Sequence, residues 1–495
     1  MANREELGII RGARAGNVVA QLALGKLYLF GSASLPKSTP TALHWLQRAA
    51  QQDCGEACLL IGSEIPFETA RHYAQAVLPW YEQAFDGGVV QAGLVLAQLV
   101  QLVPASSDTS LRAKARRALE QAALAGLPDA LWLLARHAVA PAPGLVAPAS
   151  GEWLTRAADN GVAEAQYRLL ERAWDDGDRD GFLLRALPLA RRLLHGPAPL
   201  IAQDVLLLSR CAQALSAGAG ASVADADLIE IGRFWDLAAH GGDRSAQLAL
   251  GLWFSRMDVH GARIKDGIAS VNFKRAIRWL IQAGEQGLAE AWFVLSRIYI
   301  KPEFSQRSMI EAQTYLERAA AMGHCAAQLE CGIHAWRNRR DAQGNDVRAA
   351  YWLLKAAAQG SGDAENALDK VAPHAEPTSW LQQIGPHLTR EQVSSQPFLS
   401  ARLELAGLFN LSRAEALLLD VHAADQGHCL VVDICASYGR SKRRLVLLRT
   451  ASQRQALDRI VRLFDNVDCG ASGPEGNYRR RLYRLKTWLP DQVPA

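Results

Sequence analysis

A chain of 495 residues would ordinarily fold as two or three domains. Its 49% apolar and 21% charged content is that of an ordinary globular protein, and no stretch reaches about 18 uninterrupted apolar residues, so no membrane span is expected. The formal charge of +4 excludes a strong overall bias toward anions, so any such bias must be local.

The N-terminus, MANREELGII, lacks the basic start, apolar core and small-residue cleavage site of a secretory signal, and the expected location is the cytoplasm. The eight cysteines contain no CxxC pair and no second ligand pair at zinc spacing. They are expected to be reduced thiols packed as small hydrophobes, with no metal and no cofactor.

From about residue 16 a phrase returns every 35 residues or so. It reads ALHWLQRAA at Ala42–Ala50, AIRWLIQAG at Ala276–Gly284, AQTYLERAA at Ala312–Ala320 and AAYWLLKAAAQG at Ala349–Gly360. Ala, Trp and Ala at three- and four-residue spacing share one helical face, and the closing Gly fits the left-handed position past a helix end. Asp53 replaces that Gly in the first unit, where a less sharply defined end is expected. Before each phrase runs a second pattern, A-x3-L-G-x2-Y, clearest at Ala20, Leu24, Gly25 and Tyr28. Its small residue lets a partner helix approach, and its aromatic fills the space between units.

Laid end to end, the phrase centres are Trp45, Trp80, Ala118, Trp153, Pro188, Phe234, Trp279, Tyr315 and Trp352, giving about nine helix pairs across 1–370. Spacing is 35 to 38 except on either side of Phe234. Pro188 predicts a kink or an early helix end in a degenerate fifth unit. Residues 214–227, ALSAGAGASVADAD, read as a flexible insert. A unit of this length cannot bury its apolar face alone and must stack on its copies.

These phrases resemble the Sel-like repeat (SLR) family, relatives of tetratricopeptide repeats, over about residues 16–370. The family's Gly-rich turn between the two helices is mostly replaced here by longer inserts. The resemblance implies a right-handed α-solenoid whose first helices line a concave surface, and partner or peptide binding rather than catalysis. Two positions after the first-helix Ala, the residue is apolar (Leu22, Leu59, Leu94, Trp132, Tyr167, Leu248, Phe293, Leu329) and reads as core. Six after it, a polar row recurs: Lys26, Gln98, Arg136, Glu171 and Arg297. If the first helices line the concavity, this row faces a protein or peptide partner; simple solvation explains it equally well.

Prolines 373, 377, 386 and 397 break up residues 371–398 into a linker or short helices. Residues 399–495 read as a separate small α+β module. It has a helix from Leu399, a capping box at Ser412–Glu415, apolar runs at His428–Cys435 and Arg444–Arg449 forming a hairpin, and a helix at Gln453–Phe464. A basic tail follows. Between Tyr438 and Pro490 stand 13 Lys and Arg against 4 Asp and Glu. Arg440, Lys442, Arg443 and Arg444 form one cluster and Arg479, Arg480, Arg481, Arg484 and Lys486 another. Such patches attract phosphate, which makes a nucleic-acid-associated regulator the second reading, although basic clusters are commonly just a solvated face. A helix-turn-helix at Leu399–Ala424 is disfavoured, because its second helix, ALLLDV, is too apolar for a groove. No GxSxG, HExxH or HxE…CxxC motif occurs, and no catalytic residue is expected. The chain reads as a mostly α, non-enzymatic scaffold or adaptor whose C-terminal module is either a second binding site or a cap on the array.

Overall fold

The computed structural model describes residues 4–32, 34–103, 109–136, 150–196, 199–218, 225–264, 271–374, 380, 390–434 and 442–488. They form two compact units, Met1–Leu193 and Leu194–Ala495. The first holds α1 (Arg4–Arg14) and then helix pairs: α2 (Val18–Phe30) with α3 (Thr39–Ala50), and α4 (Gly55–Glu64) with α6 (Ala74–Asp86) around the short α5 (Phe67–Ala70). Next come α7 (Val90–Leu102) with α8 (Thr109–Leu124), α9 (Pro128–Arg136) with α10 (Ser150–Asp159), and α11 (Ala163–Asp175) with α12 (Arg179–Leu193). The second unit continues with α13 (Ala202–Gly218) and α14 (Asp225–His240), α15 (Arg244–Ser255) and α16 (Phe273–Glu285), and α17 (Ala289–Ile300) and α18 (Met309–Ala321). It ends its helix stack with α19 (Cys325–Arg337) and α20 (Asn345–Ala357), closed by α21 (Gly362–Val371). The fold is an α-solenoid of helix pairs with a small α+β end.

The small residue of each first helix sits against the second helix of its own pair. A Cβ added at Gly251 would lie 2.5 Å from Leu280, and one at Gly332 would lie 2.6 Å from Leu353. The repeat alanines Ala42, Ala276 and Ala349 are fully buried. Of the aromatic centres, Trp153, Phe234 and Trp279 are buried, whereas Trp45, Trp80, Tyr315 and Trp352 are half-buried. The first unit's helix stop differs from expectation. Asp53 itself adopts φ 60°, taking the left-handed place that Gly holds elsewhere, which a short polar side chain tolerates better than most.

Pro188 does not end its helix; α12 runs through it to Leu193. The ring removes the hydrogen bond to the carbonyl of Leu184, a residue 79% exposed, so water can serve that acceptor instead. Pro79 inside α6 follows the same rule, with Gln75 exposed. The insert at 214–227 is in part helical: α13 reaches Gly218 and α14 begins at Asp225, while 219–224 lies outside the described residues.

A clasp between pairs was not read from the sequence. Gln21, Gln166, Gln247 and Gln328 each stand one residue after the first-helix Ala. They donate to the carbonyls of Ala13, Ala158, Ala239 and Ala320, at 3.3, 3.1, 3.2 and 3.0 Å. Each acceptor belongs to the last turn of the preceding helix, where carbonyls lack intrahelical partners. Gln52, Gln286 and Gln359 then donate to Gln21, Gln247 and Gln328. Trp292 serves the same role through Nε1 to Gly284.

The α+β end contains α22 (Arg390–Ser395), α23 (Pro397–Phe409), α24 (Arg413–Leu418) and α25 (Val421–Ala424). Antiparallel β1 (Cys429–Ile434) and β2 (Lys442–Leu447) follow, in register Cys429↔Leu447 to Ile434↔Lys442, and then α26 (Ala451–Leu463). The capping box at Ser412–Glu415 forms with both its bonds. The basic tail is not a tail but a helix, α27 (Tyr478–Trp488), started by Asn477, which accepts from the Arg480 amide. Successive strand residues point to opposite faces. Leu430 and Val432 therefore join the module core with Leu405, Phe409, Leu457 and Phe464. Cys429, Val431, Leu445 and Leu447 enter a second core with Leu353 of α20 and Leu368 and Val371 of α21. The turn at 435–441 and most of 375–389 lie outside the described residues.

Candidate binding surfaces

Residues two and six positions after the first-helix Ala are four apart, so they stack one turn above the other. At the lower position, Leu94 and Phe293 are buried, but Leu22, Trp132, Tyr167, Leu248 and Leu329 are half-buried and Leu59 is 41% exposed. The stripe is core at Leu94 and Phe293 and packs against the core at Leu22, Trp132, Leu248 and Leu329, so the expectation is corrected at Leu59 and Tyr167 alone. Within each unit the neighbour on this face is the next first helix. The polar row shows the same neighbour. Lys26 of α2 pairs with Glu56 of α4 at 2.5 Å, and Arg297 of α17 pairs with Glu330 of α19. Arg297 also lies 4.5 Å over the ring of Phe293. Gln98 is half-buried, and Arg136 and Glu171 are exposed; none of these three makes an ion pair among the described residues. The row and the stripe together form a repeating apolar strip with a charged margin.

The basic residues of the α+β end divide by environment. Arg443 holds Asp346 of α20 with two bonds of 2.7 and 3.0 Å, fixing the hairpin to the helix stack. Arg444 holds Glu415 likewise at 2.8 and 2.9 Å. Arg481 is 4% exposed and donates to the carbonyls of Leu417 and Cys469. Burial and these bonds take Arg481 out of any open phosphate surface, and Arg443 and Arg444 already have carboxylates. Arg479, Arg480, Arg484 and Lys486 stand exposed on α27. Arg440 lies outside the described residues, and so does the side chain of Lys442.

Sequence reading missed the centre of this module. Arg402 is fully buried. Its Nε and Nη2 meet the two oxygens of Glu475 at 2.8 and 2.5 Å, and its Nη1 donates to the carbonyls of Ala416 and Leu419. With Arg481 on Leu417, two arginines satisfy the C-terminal end of α24. Nothing in the pattern LSARLELAGLF distinguishes this Arg from a solvated one.

Three carboxylates gain from arginines here. Burial works against charge on Asp346 and Glu415, but Arg443 and Arg444 outweigh it and hold both below the usual carboxylate range. Arg454 does the same for Asp425, against a smaller burial effect. A carboxyl that binds its proton more weakly when folded leaves the unfolded state as the better proton acceptor, so acid favours unfolding. The urea midpoint of the α+β end should therefore be flat near neutrality. It should fall as pH drops below about 4, the ordinary carboxylate value. A midpoint that rises or stays level on acidification contradicts these pairings.

Among the described residues no cluster of three or more His, Cys, Asp or Glu is placed to hold a metal ion. None of their helices is long and apolar enough to cross a membrane. Burial pushes the thiols of Cys211, Cys331 and Cys429 up to about 12, so they are inert packing groups.

Segments 18–54, 149–162, 245–288, 295–324 and 327–361 match the family model of the Sel1 repeat. No curated protein matches the chain. Among solved structures, a protective antigen of uropathogenic Escherichia coli with an SLR fold is similar at 18% identity and a TM-score of 0.47, over 100% of this chain and 99% of that one. A Sel1 repeat protein from Oxalobacter formigenes is similar at 18% identity and a TM-score of 0.26, over 75% of this chain and 91% of that one. The matched segments fall on helices of the stack described above, and in those segments the chain carries Sel1 repeats.

Proposed function

We propose that this chain is a non-enzymatic scaffold. It binds a protein or peptide partner along the strip of its first helices, the concave side in the resemblance, and the α+β end caps the helix stack. The observation that carries the reading is the recurrence, in five of the helix pairs, of one half-buried apolar or aromatic side chain at the same phase, at Leu22, Trp132, Tyr167, Leu248 and Leu329. Such a strip offers spaced apolar anchors with polar margins, the arrangement that extended or helical segments dock on. The cap is supported by the face of the hairpin packed on α20 and α21, since a stack of repeats needs its last apolar surface covered.

The test is affinity capture with the full chain, comparing wild type, Trp132→Ala/Tyr167→Ala and a control at Ile310, which is 81% exposed on a second helix. Partners held by the strip should drop at least tenfold with the double variant, roughly 1.4 kcal/mol or more, and be unchanged with Ile310→Ala. Equal capture by all three removes the strip as the binding face. Among the described residues the nucleic-acid reading rests on Arg479, Arg480, Arg484 and Lys486, and salt-sensitive DNA or RNA binding abolished by Arg479→Glu/Arg480→Glu would favour it instead.

A further inference from the structure

A cleft of about 720 Å³ opens between second helices α14 and α16, with α15 at its back, away from the first-helix strip. Its floor is apolar: Ile229, Leu237, Leu250, Trp253, Phe254 and Trp279. Three arginines stand around it, Arg233, Arg275 and Arg278. All three are exposed, and none makes an ion pair among the described residues. Two are held in place by rings. The Arg275 guanidinium lies 5.5 Å from the centre of Phe254 and that of Arg278 lies 5.3 Å from Trp279. A guanidinium resting over an aromatic face keeps its N–H donors directed outward at its edge. Asp236 is the one carboxylate lining the cleft, and it lies 3.5 Å from His240, which itself packs edge-on against Trp279.

The floor is maintained by small residues. Gly232 faces Trp253 so closely that a Cβ would lie 2.5 Å from the indole, and Trp253 meets Trp235 edge-on at 5.4 Å. The opening is therefore a fixed concavity, within the usual size of a ligand site, with an excess of two formal positive charges over an aromatic floor.

We propose that this cleft docks an acidic segment of a partner protein, one that places an aromatic or large aliphatic side chain on the floor and flanking carboxylates on Arg233, Arg275 and Arg278. Bidentate Arg–carboxylate bonding suits the forked donors, and an apolar anchor between carboxylates matches both halves of the site. A bare phosphate would leave the floor uncovered, and a basic segment would meet three like charges. The site is independent of the first-helix strip, so the scaffold holds two segments on different faces.

The test is an array of ten-residue peptides probed with the full chain. One set is acidic around a central Phe or Leu, a second replaces the acids by Lys, and a third replaces the central residue by Ser. The wild type should retain the first set at least tenfold above the other two. Retention should fall with salt and be lost in Arg233→Glu/Arg275→Glu/Arg278→Glu, whose three exposed positions leave the circular dichroism unchanged. As a second variant, Trp253→Ala should weaken binding of the apolar anchor while keeping the preference for acids. The proposal is overturned if peptide charge makes no difference or if the triple variant binds as the wild type does. It is also overturned if inorganic phosphate or single-stranded DNA occupies the cleft while the acidic peptides do not. Capture by the Trp132→Ala/Tyr167→Ala variant reports on the strip separately, so failure of one site is distinguishable from failure of the other.

Discussion

Arg402→Ala should unfold the α+β end while leaving the helix stack of the first unit folded. Arg402 is fully buried, and its four hydrogen bonds engage Glu475 and the carbonyls of Ala416 and Leu419. Removing it strands a carboxylate that is itself 4% exposed, together with two helix-end acceptors. Breaking a buried pair in this way costs about 3–5 kcal/mol, because the buried charge loses its bidentate partner and keeps only a longer ion pair. Arg481, 3.8 Å from the same carboxylate, does not take its place, since its Nη1 and Nη2 already serve the carbonyls of Leu417 and Cys469. The measurement is hydrogen exchange read by segment. Protection across 397–464 should collapse toward free exchange, while 18–102 keeps wild-type protection. Arg402→Met/Glu475→Leu should recover much of the loss, because an apolar pair of similar volume carries no desolvation cost. If Arg402→Ala keeps the wild-type protection, the pair is not what holds this core.

How much of this was legible in the sequence follows from the range of each interaction. The helix pairs were readable because their signals are local: Ala42, Trp45 and Ala49 share a face whatever the rest of the chain does. The approach of Gly251 to Leu280 follows from a small residue at a fixed phase. The hairpin and the Ser412 box were likewise written in adjacent residues. The Gln clasps were legible in principle, since Gln21, Gln166, Gln247 and Gln328 share one phase, but their acceptors are carbonyls and leave no pattern. Pro188 misled because the rule about proline concerns the lost bond, and here the freed acceptor of Leu184 faces solvent. The basic clusters misled for the opposite reason. Arg443 and Asp346 are 97 residues apart, and Arg402 and Glu475 are 73 apart, so charge in one stretch looked unmatched when its partner was distant. The cleft is of the same kind: Arg233, Trp253 and Arg278 come from three helices, and only stacking places them around one opening.

Leu445→Asp should undock the hairpin from the helix stack without dissolving the module. Leu445 is 2% exposed in the core shared with Leu353, Leu368 and Val371. A carboxylate there has no cation at its depth, and a cost of about 4 kcal/mol or more is expected for an unpaired buried charge. The other face of the hairpin is untouched, since Leu430, Val432 and Val446 belong to the module's own core. The loss should therefore fall on docking. Arg443 on Asp346 and His428 Nε2, 3.0 Å from the carbonyl of Val347, are the remaining ties, and both lie at the edge of the apolar contact. Once undocked, α20 and α21 expose Ala350, Leu353, Leu368 and Val371 as an open end of the stack, the surface on which a further repeat would sit. Two readouts follow: exchange protection of 345–371 should fall, and light scattering should show association that grows with concentration as open ends meet. Cutting the chain after Lys370 removes the same cover, and the same association is expected of that fragment, with its helical signal largely kept. A Leu445→Asp protein that stays monomeric with α20 and α21 fully protected would mean that the hairpin rests on the stack without capping it.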